Sequence, residues 1–122
     1  MKRLEVLQWS GLLAGAAAWG TAHVLGYGLS ETRCNSGSGG WDVALHGWEG
    51  ALNGFAAAIT VCAALAAVSV LVLTRGVSYE DDPPAGRIRF FAIAALIANV
   101  LFLVMVVLYA AGSIANDPCR QA

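Results

Sequence analysis

Three long apolar stretches, Trp9 to Leu29, Trp48 to Leu73 and Ile88 to Ser113, constrain this chain more than anything else in it. As helices rising 1.5 Å per residue, they would measure about 30 to 39 Å, enough for the roughly 30 Å hydrocarbon core of a bilayer. The predicted fold class is an all-α membrane protein of three transmembrane helices, with residues 1–122 forming one unit. Composition agrees, because 58% of the residues are hydrophobic and only 12% are charged, whereas soluble domains carry about 25% charge. A net charge of -1 offers no basic surface for nucleic acid.

The N-terminus imitates a signal peptide, with Lys2 and Arg3, an apolar run from Leu12 to Ala18 and the small-residue triplet Ala16-Ala17-Ala18. The apolar stretch continues to Leu29, beyond the about 7 to 15 residues of a signal's apolar region, and is read as an uncleaved first span. Lys2, Arg3, Arg75, Arg87 and Arg89 fall on one side of the three spans, and Arg33 and Arg120 on the other. The positive-inside rule then puts the N-terminus and the loop from Thr74 to Arg89 in the cytoplasm, and the loop from Ser30 to Gly47 and the C-terminus outside. The expected location is a bacterial inner membrane, as a multi-pass protein. Pro83-Pro84 excludes a continuous helix between spans two and three.

Trp9, Trp41 and Trp48 lie near the span ends, where an amphipathic indole is favoured. Ser36-Gly37-Ser38-Gly39-Gly40 reads as a flexible linker, and Asp42 as a cap for a helix that begins before the membrane and continues into span two. The topology brings Cys34 and Cys119 to the outer side, where an oxidising compartment suits a disulfide; a two-cysteine metal site would need further ligands. Cys62 reads as a small packing residue inside span two.

Small residues recur at four-residue steps: Gly11 and Gly15 in span one, then Gly50, Gly54, Ala58, Cys62 and Ala66 in span two. In lipid, such ridges let helix backbones approach closely. Antiparallel spans predict Gly50 and Gly54 against Ala22 and Gly26 at the outer level, and Gly11 and Gly15 against Ala66 and Ser69 at the inner level. Any small ridge left over would seat a partner helix.

The ridge of span one continues as Trp19, His23 and Tyr27, spaced so that the side chains overlie one another. His23, Asn53 and Tyr109 lie at similar predicted depth on three helices and are expected to form a hydrogen-bonded cluster or ligand contact. A bis-histidine heme b would have to use His23 and His46; a quinone, lipid or proton contact at His23 is a further alternative. His46 and Glu49 stand one helical turn apart, a weak metal pair. Asn99, in the middle of span three, is expected to bond across to another helix, in this chain or in a partner. No catalytic constellation is present, so the chain is read as at most a non-catalytic subunit of an oxidoreductase complex. No acid lies deeper in a span than Glu49, which argues against a secondary transporter.

Trp19-x-x-x-His23-x-x-x-Tyr27 followed by Cys34, Leu45-His46, Arg87-x-Arg89-Phe90 and Asp117-Pro118-Cys119 resemble a family of small three-span bacterial membrane proteins encoded beside heme-copper terminal oxidase genes. The Gly-rich insert after Cys34 departs from that family's shorter loop. The resemblance implies an accessory subunit of a cytochrome oxidase or of an oxidase supercomplex, packed on other membrane subunits and lipid, with heme and copper held by the larger subunits. The alternatives are a small heme- or quinone-binding anchor using His23, and an oxidase assembly factor.

Overall fold

The computed structural model describes residues 2–35, 44–78, 80–117 and 119. Three helices account for nearly all of them: α1 (Lys2–Cys34), α2 (Leu45–Leu73) and α3 (Ala85–Ala115). Each packs against both others, giving an up-down-up bundle. Trp41, Asp42, the Gly-Ser linker and Arg120 lie outside the described residues; the N-cap position of α2 is occupied by Ala44, with no side-chain cap.

Two of the helices, α2 and α3, are long and apolar enough to cross a membrane, and only 28% and 22% of their most apolar windows is buried within the bundle. Phe55, Leu65, Ile97, Leu101 and Leu108 instead project outward. A core helix of a soluble domain would bury most of such a face, so these apolar surfaces suit lipid or another membrane protein. α1 is the longest helix, but its apolar run is interrupted by Gly, Thr and His, and it does not meet the same criterion of apolarity.

The buried positions follow a heptad. On α2 they are Leu45, Glu49, Asn53, Ala56, Thr60, Ala63, Ala67 and Val70, and on α3 Ile88, Ala92, Ala95, Asn99 and Val106 share one stripe. Alternating steps of three and four residues hold a stripe to one helix face, as in left-handed helix packing. The core itself is made of small side chains: Ala22, Ala56 and Val106 meet at one end of the bundle, and Val70, Ile88 and Ala92 at the other.

This register corrects the predicted helix partners. Gly11 and Gly15 do lie in an interface, but a Cβ on Gly11 would meet Ala63 and Ala67, and one on Gly15 would meet Thr60 and collide with the Asn99 side chain. Ala66 and Ser69 are not the residues they face. Gly50 and Gly54 do not pack against Ala22 and Gly26, since nothing among the described residues lies within 4 Å of a Cβ built on either. A strict four-residue ridge drifts around a helix of 3.6 residues per turn. The core of α2 follows the heptad stripe instead, and Gly50, Gly54, Ala58 and Cys62 lie exposed from the first residue of the ridge onward.

The connection between α2 and α3 is fastened by Arg89, whose guanidinium donates to the carbonyls of Thr74 (2.7 Å) and Val77 (3.0 Å). Thr74 returns its hydroxyl to the Val70 carbonyl at 2.7 Å. The carbonyls left over where α2 ends are thus met by side chains. At the other end of the bundle Cys34 and Cys119 form a disulfide that closes 85 residues, with Cα atoms 5.2 Å apart. It ties the segment after α3 to the last turn of α1, the pairing expected from the sequence.

Candidate functional site

Near the disulfide end, α1 and α3 present an aromatic ladder. The rings of Trp19 and His23, one turn apart on α1, stack with centroids 5.4 Å apart. Trp19 also meets Phe102 at 5.7 Å, and His23 meets Tyr109 edge-on at 5.4 Å. Tyr109 can lie so close because Gly26 has no side chain: a Cβ there would come within 3.1 Å of the phenol oxygen. Tyr27 does not extend the ladder. It is 65% exposed, because the second four-residue step has carried it away from Trp19 and Tyr109.

Trp19, His23, Asn53 and Tyr109 line one small pocket with Ala22 and Val106. The expected juxtaposition is therefore present, but its chemistry differs: among the described residues no hydrogen bond joins His23, Asn53 and Tyr109. Ring contacts hold His23, and Asn53 is buried on the α2 stripe.

Glu49 stands one turn from Asn53 on that stripe and is only 6% exposed, with its Oε2 buried and without a hydrogen-bond partner among the described residues. His46 is exposed at the start of α2. The pair proposed as weak metal ligands is thus divided between the bundle interior and its surface. Among the described residues no three His, Cys, Asp or Glu side chains come together to hold a metal ion.

Two surfaces complete the site. One is the exposed ridge of Gly50, Gly54, Ala58 and Cys62. The other is an open apolar groove of about 410 Å³ between α1 and α2, walled by Ala18, Thr21, Leu25, Phe55 and Ile59 among others. The remaining polar helix residue, Asn99, is only 1% exposed and donates to the Gly11 carbonyl at 2.6 Å and to the Ala95 carbonyl at 2.9 Å. Its partner is in the same chain, so it is a structural link and not a docking group. Sequence reasoning missed Gln8 and Thr60 as buried residues; the heptad stripe, once drawn, passes through both.

No protein-family model, curated protein or solved structure matches the chain.

Proposed function

We propose that this chain is a three-span, non-catalytic subunit of a bacterial respiratory membrane complex, a heme-copper cytochrome oxidase or its supercomplex, with its N-terminus in the cytoplasm and its C-terminus outside. The observation that carries the reading is the ridge Gly50, Gly54, Ala58 and Cys62, which is exposed and unused by the chain's own helices. In lipid, close backbone approach along small residues is a main source of helix association. A three-helix bundle that keeps such a ridge outward has a seat for a fourth helix. The resemblance carried by Trp19, His23, Cys34 and Asp117 to Cys119 supplies the respiratory assignment, and the outward apolar faces of α2 and α3 agree with a membrane setting.

The test is affinity purification of the chain from its native membrane in mild detergent, followed by mass spectrometry. Stoichiometric oxidase subunits that are lost when Gly50 and Gly54 become leucine are the expected result. A chain that purifies alone, or one retained undiminished by the leucine variant, would overturn the assignment of this surface.

A second reading, a heme- or quinone-binding anchor, is favoured by the ring contacts of His23 and the small pocket it lines with Asn53 and Tyr109. It requires an α band in a reduced-minus-oxidised spectrum, or quinone that is lost in His23→Ala. An assembly factor, the third reading, would be absent from the mature enzyme.

A further inference from the structure

At the end of the bundle opposite the disulfide, the first turns of α1 and the start of α3 enclose a pocket of about 300 Å³ lined by Glu5, Gln8, Trp9, Arg87, Ile88 and Phe91, with Pro84 at its edge. Its composition differs from the apolar groove between α1 and α2. A cation, an anion and an amide share one cavity, and its apolar wall is Trp9 stacked on Phe91 at 6.5 Å.

Gln8 is the residue that calls for a ligand. It is only 6% exposed, and its amide makes no hydrogen bond among the described residues. Its amide atoms are not sealed from solvent, and with no protein partner among the described residues they are available to a group seated in the pocket that Gln8 lines. The start of α3 adds a second attraction for an anion. Pro84 occupies its N-cap without a side-chain cap, so the positive end of a long helix dipole opens toward the same place. Arg87, exposed and in the first turn of α3, contributes a full charge. Glu5 carries the opposite charge, which a purely anionic ligand would meet unfavourably. The pocket therefore suits a group that bears both charges.

The depth of the pocket narrows the choice. Trp9 and Ile88 begin the first and third apolar stretches, so the cavity lies at the boundary between hydrocarbon and water, with its aromatic wall toward the hydrocarbon. We propose that this pocket binds the headgroup of phosphatidylethanolamine, with Gln8 and Arg87 donating to the phosphate and Glu5 accepting from the ammonium. The start of α3 adds to the field at the phosphate, and Trp9 and Phe91 pack on the glycerol and first methylenes. This lipid site rests on the membrane-spanning reading above, but not on the identity of any protein partner.

The test uses the full chain, extracted from its membrane and offered equal amounts of phosphatidylethanolamine, phosphatidylglycerol and phosphatidylcholine with identical acyl chains. Retained lipid is read by native mass spectrometry. Phosphatidylethanolamine should be retained preferentially. Gln8→Leu and Arg87→Gln should each lower its retention about tenfold, the effect of one hydrogen bond to a charged group, and Glu5→Gln should abolish the preference over phosphatidylglycerol. Arg87 is exposed, so its variant serves even if Gln8→Leu does not fold. Equal retention of the three lipids, a preference for phosphatidylglycerol in the unaltered chain, or undiminished retention by Arg87→Gln would overturn the site. Alkaline carbonate extraction separates the premise: a chain released by carbonate removes the membrane reading, and the site with it, whereas an integral chain without lipid preference removes the pocket alone.

Discussion

The side-chain amide of Asn99 donates a 2.6 Å hydrogen bond to the carbonyl oxygen of Gly11, joining the middle of α3 to the N-terminal half of α1. The contact exists because two glycines stand on that face of α1. Gly11 lets α2 approach closely at Ala63 and Ala67, and Gly15 leaves room for the Asn99 carboxamide. Polar side chains inside membrane bundles act in this way as links between helices.

Replacing Gly15 with alanine should therefore destabilise the bundle by about 1 to 3 kcal/mol, the usual cost of overpacking, because the new methyl group collides with an Asn99 side chain that is fixed by two hydrogen bonds. In an Asn99→Ala background the cost of Gly15→Ala should largely vanish. A double-mutant cycle on unfolding in detergent measures the coupling, and additive effects would contradict the contact. Asn99→Ala alone should cost about 0.6 to 1.7 kcal/mol, the range of interhelical hydrogen bonds in membrane proteins.

The two glycine pairs should behave oppositely. Gly11→Leu and Gly15→Leu should prevent native packing, since both positions meet neighbours directly. Gly50→Leu and Gly54→Leu, in open space, should change the stability of the isolated chain by no more than about 0.5 kcal/mol while weakening its association with partner helices. Thermal unfolding of the purified variants, set beside co-purification from membranes, distinguishes the two effects.

Glu49→Leu should stabilise the isolated bundle, by about 1 to 3 kcal/mol, because it removes a buried oxygen that has no hydrogen-bond partner and replaces it with apolar volume. Denaturation in detergent is the measurement. A loss of stability would show that the carboxyl group is satisfied in the folded protein.

Reducing the Cys34–Cys119 disulfide should lower stability while leaving the three helices intact. The chain-entropy relation gives about 4.6 kcal/mol for 85 residues, an upper figure that any residual restraint on the unfolded chain reduces. Circular dichroism should show unchanged helicity after reduction, with a lower unfolding midpoint. A mobility difference between reduced and unreduced chains on a gel reports the bond directly.

The polar pocket was legible only in part. His23, Asn53 and Tyr109 could be brought to one level by counting residues from the span ends, and they do share a cavity. Counting gives depth along a helix and says little about rotation around it. That is why Tyr27 was expected on the ladder and Glu49 beside His46, whereas one faces outward and the other inward. Asn99 was recognised as a link between helices, but its partner was not, because a backbone carbonyl leaves no signature in sequence.

What the sequence by itself determined is what depends on local composition: three helices, two of them long and apolar enough to cross a membrane, the break between α2 and α3 at Pro83-Pro84, and the pairing of Cys34 with Cys119. The tertiary structure decided rotation and register. A four-residue repeat of small residues and a heptad stripe look equally suited to packing when written in one line. Only one of them keeps to a single face of a 3.6-residue helix. The stripe through Asn53, Thr60 and Ala67 became the core, and the ridge through Gly50, Gly54 and Ala58 was left on the surface, where another helix can reach it.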